Sequence, residues 1–171
     1  MSTDNTEFLS VVKNTAHGSR LYEEEAFTQH GDTSCLLHSI AVAYYSYRLA
    51  KKLGSVGFCL PELIRGALLH DYFLYDWHEN AFPPNGLHGY SHPYTAWQNA
   101  SRDFTLTERE CDIIRKHMFP LTLTKVPKYR ESVVVMLTDK WCSLLEVFGR
   151  RMYQNETVQA AYKIVLAYKT T

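Results

Sequence analysis

Six side chains that could ligate a metal ion recur along the chain, most of them in apolar helical surroundings: His38, His70, Asp71, His92, His117 and Asp139. A histidine or a carboxylate directed into an apolar interior costs several kcal/mol unless another group pairs with it. A divalent metal ion pairs with several such groups at once, because imidazole nitrogens and carboxylate oxygens are both good ligands. The types and spacing of these residues therefore indicate a metalloprotein.

The order and local context of these residues resemble the HD superfamily of metal-dependent phosphohydrolases. The signature of that superfamily is a histidine, then a His-Asp doublet, then a distal aspartate, and the chain matches it with His38, His70-Asp71 and Asp139. The matching stretches read TSCLLHSIAVAYYSYRLA, GALLHDYFLYDWH and VVVMLTDKWCSLLE, and the resemblance covers about residues 25 to 148. Within the superfamily, the chain is most similar to the small bacterial HD-domain hydrolases.

The two further histidines, His92 and His117, stand where the two-metal branches of the superfamily carry extra ligands. The resemblance therefore implies a binuclear centre in which the Asp71 carboxylate bridges two divalent ions. Mixed nitrogen and oxygen ligands without thiolate suit Mn, Fe, Co, Ni or Zn. Water activated by such ions is the expected nucleophile for hydrolysis of a small phosphoester or nucleotide.

Other polar residues near these motifs could act on the substrate. Lys140 directly follows Asp139 and could neutralise charge on a phosphoryl group, so Lys140 and Asp71 are the predicted catalytic residues. Three residues close to the motifs are candidates for substrate binding: His30, Asp76 and His88.

Apolar residues with a period near 3.6 predict an all-α fold, a compact single-domain HD-type helical bundle over residues 1–171. Residues 34–53 form one predicted helix, which directs His38 inward and ends at Gly54. A second predicted helix begins at Pro61 and carries the His-Asp doublet at its C-terminal end. No stretch has a convincing strand alternation.

Local signals also place the later ligands on helices. Pro93 predicts the start of a helix, with His92 immediately before it. Thr107 and Glu110 form a capping box for the next helix, which carries His117.

Two further helices complete the predicted bundle. The first covers about residues 129–148 and holds Asp139 near its middle. The second covers about residues 155–168, is amphipathic, and either closes the core or forms the seam of a homodimer, with core closure preferred.

Length, composition and charge limit the classes of fold and partner that we expect. The chain has 171 residues, 46% of them hydrophobic, which is enough for one well-formed core. The formal net charge is zero and no basic run is present, so nothing indicates a nucleic-acid or membrane surface. The N-terminal sequence MSTDNTEFLS lacks the features of a secretory signal. We therefore expect a cytoplasmic protein whose partner is a small phosphorylated molecule.

The four cysteines, Cys35, Cys59, Cys111 and Cys142, form no CxxC pair, which argues against a zinc knuckle or a thioredoxin-like motif. We interpret them as small buried hydrophobic residues. Cys35 and Cys142 lie one helical turn from His38 and Asp139, so both could contribute to the wall of the metal site.

The chain lacks motifs of several characterised branches of the superfamily, so the activities of those branches are not expected here. The sequence HDYFLYDWH lacks the Gly-Lys of HD-GYP phosphodiesterases and the Glu-Asp of stringent-response hydrolases. Leu74 stands where bacterial 5'-deoxynucleotidases have a glutamate, for which Asp76 could substitute.

Three functional classes remain open at the level of the sequence. Some HD proteins with the same six ligands are mixed-valent di-iron oxygenases, and the ligand set does not separate them from hydrolases. A third class is a metal-containing sensor that binds a ligand with little turnover. The phosphohydrolase is preferred, and the complete set of buried polar groups argues against a non-catalytic module.

Overall fold

The computed structural model describes residues 5–30, 33–54, 57–77, 87–148 and 151–170, apart from the side chains of residues 29, 30, 147, 148, 151 and 170. The α-helices within these residues are α1 (Thr6–Ala16), α2 (Cys35–Lys52), α3 (Leu60–Leu68), α4 (His88–Asp103), α5 (Glu108–Lys116), α6 (Arg130–Phe148) and α7 (Glu156–Leu166). Short 3₁₀ segments cover Leu21–Ala26, Arg151–Gln154 and Ala167–Thr170. The predicted all-α fold is confirmed.

Helix α2 is the centre of the bundle and packs against α3, α6 and α7. Its sequence is apolar on more than one side, which is typical of a helix that is surrounded by others. Residues on several faces of α2, including Leu36, Ile40, Val42 and Tyr47, are therefore fully buried.

Several predicted helix ends agree with local chemistry, whereas α3 ends at Leu68, before the His70-Asp71 doublet that it was predicted to carry. Ser34 caps α2, because its Oγ accepts a hydrogen bond from the backbone N–H of Leu37 at 3.2 Å. Gly54 follows the end of α2 with a φ of +100°, a conformation that favours glycine. The capping box of Thr107 and Glu110 is present at the start of α5. The long helix predicted at about 129–148 is α6.

Helix α4 begins earlier than predicted. It starts at His88, so Pro93 lies inside the helix and His92 lies in its second turn. The backbone N–H of Ser91 already bonds to the carbonyl of Leu87 at 3.1 Å, which establishes the first turn before the proline. A proline this near the N-terminus removes one helical hydrogen bond without ending the helix. The result places His88 and His92 one turn apart on the same face.

A short hairpin precedes α2 and was missed by the sequence patterns. Strand β1 (Thr28–His30) pairs antiparallel with β2 (Thr33–Ser34), with an irregular register between them. Strands this short have too few residues to show a period-two alternation, so no pattern could have predicted them.

The C-terminal helix α7 packs against α1 and α2. Its apolar face, formed by Val158, Ala161 and Val165, is fully buried. Among the described residues, no helix has both the length and the apolar character needed to cross a bilayer.

Candidate metal centre

The six ligand candidates converge in the interior from separate elements. His38 lies in the first turn of α2, and the His70-Asp71 doublet lies in the turn that follows α3. The other three are placed by α4 (His92), the C-terminal cap of α5 (His117) and the middle of α6 (Asp139). Each of the six residues is at most 6% exposed.

The first group of ligands surrounds one oxygen of Asp71. The Nε2 atom of His70 lies 3.4 Å from Asp71 Oδ2, and the Nε2 atom of His38 lies 3.9 Å from the same oxygen. Ligand atoms of these three residues all lie within 4.8 Å of one another. Asp139 adjoins this group, with its Oδ1 atom 3.2 Å from His38 Nε2 and 3.6 Å from His70 Nε2.

The second group surrounds the other oxygen of Asp71. Asp71 Oδ1 lies 3.3 Å from His92 Nε2 and 3.6 Å from His117 Nε2. The two imidazole Nε2 atoms are 2.8 Å apart. Since the two oxygens of one carboxylate face two different groups, Asp71 has the geometry of a bridge between two cations.

Each histidine is oriented through its Nδ1 atom. Three of them donate the Nδ1 hydrogen to a backbone carbonyl at 2.7 to 2.9 Å: His70 to Ala67, His92 to His88 and His117 to Ile114. Since a carbonyl can only accept, the neutral form of each ring carries its hydrogen on Nδ1 and directs the lone pair of Nε2 into the site. Carbonyl partners of this kind fix the tautomer that metal-ligating histidines need.

The fourth histidine is oriented by a carboxylate that sequence reasoning missed. His38 Nδ1 lies 2.6 Å from Glu146 Oε1, and the Tyr153 hydroxyl donates to the same oxygen. Glu146 follows Asp139 by seven residues on α6, or about two turns, so one face of α6 presents both carboxylates. The apolar neighbours of Glu146, Leu144, Leu145, Val147 and Phe148, were the only local signal, and they are shared by many surface glutamates.

The donor set fits divalent cations. Two neutral imidazoles that both donate through Nδ1 would direct facing lone pairs at each other across the 2.8 Å between His92 and His117. His70 Nε2 is buried without a hydrogen-bond partner in the described part of the chain. A cation at each group would satisfy these atoms and offset the buried carboxylates.

Electrostatics within the cluster agree with this fit. Burial alone would raise the pKa of Asp71 and Asp139, but the surrounding histidines hold the pKa of both carboxyls well below the usual value. Burial also disfavours the charged form of His38, yet hydrogen bonds with Asp139 and Glu146 raise its pKa well above the ordinary value. In contrast, burial and the neighbouring His70 and His92 lower the pKa of His117 to about 3.

A cavity of about 320 Å³ opens onto the second group and onto Asp139. Four of the ligand candidates line it, together with Trp77, His88, Met118, Leu121, Lys140 and Ser143 among others. A larger cavity of about 410 Å³ lies on the outer side of α2 and α6, between Tyr45 and Trp141, and contains none of the ligand candidates. Residue chemistry, not size, identifies the smaller cavity as the candidate site.

Lys140 lies at the wall of this cavity. Its Nζ atom donates to the backbone carbonyl of His117 at 2.7 Å and lies 3.9 Å from Asp139 Oδ2. Partial burial lowers the pKa of Lys140. The predicted catalytic pair, Asp71 and Lys140, is thus brought to the same cavity.

The three substrate-binding candidates have different positions. His88 lines the cavity and stacks between Trp77 and His92, with ring centroids 4.8 and 4.6 Å away. Asp76 is half-buried after α3 and belongs neither to the two ligand groups nor to the cavity wall found in the described residues. His30 ends β1, and its side chain lies outside the described part of the chain.

Glu24 is a second buried acid that sequence reasoning missed. It is 0% exposed, and burial together with the Asp71 charge raises its pKa well above the ordinary value. The run Glu23–Glu25 is typical of an exposed acidic surface, so no signal in the sequence distinguished Glu24.

Cys35 and Cys142 are buried thiols in the hydrophobic core, and neither forms a disulfide. Burial raises the pKa of both, which favours the neutral, unreactive thiol. The interpretation of the cysteines as small buried hydrophobic residues agrees with the environment of these two, whereas Cys59 and Cys111 are only half-buried.

The chain belongs to the HD-domain family. The family model of the HD domain matches residues 36–143, a range that runs from α2 into α6 and contains all six ligand candidates. Members of this family are mostly metal-dependent phosphohydrolases. Comparisons with curated proteins and with solved structures give no match.

Proposed function

We propose that the protein is a metal-dependent phosphohydrolase that acts on a small phosphoester or nucleotide at a binuclear centre. The observation that carries this proposal is the position of Asp71, whose two oxygens face two separate groups of histidines. His38, His70 and Asp139 would complete the first metal position, and His92 and His117 the second. Metal ions there would acidify water and neutralise phosphate oxygens as charge develops.

The residues of the chain supply orientation and charge around that chemistry. Hydrogen bonds at Nδ1 hold the four imidazoles so that their Nε2 atoms stay directed at the centre. The Lys140 ammonium, fixed by the carbonyl of His117, places a positive charge on the cavity wall where a phosphoryl oxygen would lie.

Hydrolysis at this site would form a bond from a water oxygen to phosphorus and break the bond from phosphorus to the organic oxygen. The leaving oxygen would take up a proton from the water, so water supplies both the hydroxyl of the phosphate and the hydrogen of the alcohol. His88, stacked against His92 at the cavity wall, would contact the substrate.

Metal content per chain, measured by elemental mass spectrometry on protein purified without chelator, tests the centre. We expect about two equivalents for the natural chain and about one for His92→Ala, because only the second group loses a ligand. His17→Ala, which removes an exposed imidazole after α1, is the control and should keep both. One equivalent in the natural chain, or two in His92→Ala, would contradict a binuclear centre that uses His92.

Phosphate release from model phosphoesters, with and without chelator, tests the reaction. We expect release that stops on chelation and returns when Mn, Co, Ni or Zn is added back. Iron in the purified protein with consumption of O2 and no phosphate release would overturn the proposal in favour of an oxygenase. Metal without either activity would favour a ligand-binding module.

A further inference from the structure

A groove beside the metal cavity lies between the start of α4 and the segment that follows α5. Its volume is about 300 Å³. It is lined by Tyr90, Pro93 and Tyr94 of α4, Arg115 of α5, and residues 121–125. We call this the side groove.

The side groove adjoins the metal cavity. Leu121 lines both spaces. A Cβ atom on Gly89 would lie 3.4 Å from Leu121 Cδ2, so this leucine packs directly on Gly89 at the edge of the metal cavity. Tyr90, the next residue, opens into the groove. Leu121 is thus the side chain that a molecule with its phosphate at the metal centre would have to pass to reach the side groove.

The walls of the side groove are aromatic and exposed. Tyr90 is 57% exposed and Tyr94 is 46% exposed. Exposed apolar surface that adjoins a polar centre is typical of a ligand site. The ring of Tyr94 is supported by Trp97, with centroids 5.5 Å apart, so its face is held in place without a ligand.

The charged side chains described along the side groove are both positive. Arg115 and Lys125 line it, and none of its lining residues within the described part of the chain carries a carboxylate. The guanidinium carbon of Arg115 lies 4.9 Å from the centroid of Trp97, which keeps its planar group close to the aromatic wall. The formal net charge of the whole chain is zero, so this excess of positive charge is local.

We infer that the side groove binds the organic part of the substrate, and that this part is an aromatic ring with a negative group of its own. This inference rests on the proposed hydrolysis, because the phosphoryl group must lie at the metal centre. The ring would lie against Tyr90 and Tyr94, and its second anion would pair with Arg115 and Lys125. A nucleotide that carries more than one phosphate has this chemistry, whereas a short aliphatic phosphate leaves the groove empty.

Binding of three phosphonates to the metal-containing protein, measured by calorimetry, tests the inference without turnover. The probes are propylphosphonate, benzylphosphonate and 4-carboxybenzylphosphonate, which share the phosphonate and add first the ring and then the second anion. We expect affinity to rise in that order, with each step on the order of three- to tenfold.

Two variants separate the ring from the charge. The double variant Arg115→Met with Lys125→Met should remove the advantage of the carboxylate, on the order of three- to tenfold, and leave benzylphosphonate binding unchanged. Tyr94→Leu should reduce the advantage of benzyl over propyl. Arg102→Met, which removes an exposed arginine of α4 outside the groove, is the control and should change neither ratio.

The outcomes distinguish this inference from the proposed function. Equal affinity for the three probes, or an equal loss for all of them in the double variant, would overturn the side groove as a subsite even if phosphate is released from model esters. The expected order of affinities without any phosphate release would keep the subsite and overturn the hydrolase.

Discussion

At the scale of single residues, the centre depends on the orientation of imidazoles that are already fixed by the protein. His70, His92 and His117 donate to carbonyls within their own turns, so short-range backbone geometry sets their rings. His38 differs, since its partner Glu146 is contributed by α6. The first group of ligands therefore depends on a tertiary contact between α2 and α6. In the second group, the Nδ1 partners found among the described residues are carbonyls of the same turn.

Glu146→Gln should weaken metal binding at the first position. A carboxylate partner increases the basicity of a ligating imidazole, and loss of such partners typically costs about 10- to 100-fold in metal affinity. We expect one step of a two-step metal titration to shift by this factor, measured by competition with a chromophoric chelator. Glu156→Gln, which changes an exposed glutamate of α7, should shift neither step. Equal weakening of both steps would show that Glu146 stabilises the fold in general and not the His38 ring.

At the scale of elements, Asp112 of α5 holds the start of α6 in place. Its Oδ2 atom accepts hydrogen bonds from the backbone N–H of Lys128 at 2.8 Å and from the Ser132 hydroxyl at 2.7 Å, and Lys116 forms an ion pair with the same carboxylate. Burial would raise the pKa of Asp112, but Lys116 and the two hydrogen bonds lower it below the ordinary value. This contact fixes the register of the helix that carries Asp139.

Asp112→Asn should lower the free energy of unfolding by about 1.5 to 3 kcal/mol at neutral pH. A carboxyl whose pKa is lower in the folded state than in the unfolded state stabilises the fold above its unfolded pKa, near 3.9. That contribution is lost as the pH falls through the lower, folded pKa. The difference between the natural chain and the variant in urea unfolding should therefore be constant near pH 7 and shrink below about pH 4. A difference that does not change with pH would assign the loss to packing.

Gly66 allows α3 and α5 to approach closely. A Cβ atom at this position would lie 2.6 Å from Ile113 Cδ1 and 3.1 Å from Ile113 Cβ. Although alanine favours a helix by up to about 1 kcal/mol over glycine, the overlap costs about 1 to 3 kcal/mol, so Gly66→Ala should destabilise the protein in chemical unfolding. Combining it with Ile113→Val should cost less than the sum of the two single changes, because the valine lacks the Cδ1 atom. A more stable Gly66→Ala would show that the helices separate without cost.

At the scale of the whole molecule, the metal centre joins α2, α4, α5, α6 and the turn after α3. Metal bound only by the folded chain stabilises it by mass action, by about 2.7 kcal/mol at a free concentration one hundred times the dissociation constant. Chelation should then lower the melting temperature by roughly 5 to 10 °C for a chain of this size, measured by calorimetry. Asp71→Asn, which lacks the bridging charge, should show no such response to chelator. An unchanged melting temperature after complete removal of metal would place the ions on a preformed scaffold that gains nothing from them.

Much of the fold could be predicted because its signals are local. The periodicity of α2 and α6, the capping box at Thr107 and the stop at Gly54 each depend on a few neighbouring residues. The start of α4 could not be predicted in the same way. Proline generally prefers the start of a helix, and that preference led to a predicted start at Pro93. The turn before Pro93 is formed by backbone hydrogen bonds, which the sequence pattern does not reveal.

Some residues of the candidate site could be predicted from the sequence and others could not. The apolar surroundings of these histidines and aspartates, together with the resemblance to the HD superfamily, selected the six residues which the structure brings together. Glu146 and Glu24 did not stand out, because most glutamates of a helical protein are on the surface, and burial is a tertiary property. The side groove also depends on packing, since Leu121 meets Gly89 across two segments that are distant in sequence.

The two-sided contact of Asp71 has a thermodynamic consequence for how the centre fills. Under the proposed function one carboxylate would serve both positions, so an ion at the first would withdraw electron density from the oxygen offered to the second and would also fix the rotamer that the second requires. The two occupancies would then be linked, and linkage is reciprocal: whatever factor the first ion applies to the affinity for the second, the second applies to the first. In a protein of this design, the affinity of each position at equilibrium would depend on which ion fills the other, whatever the order of loading.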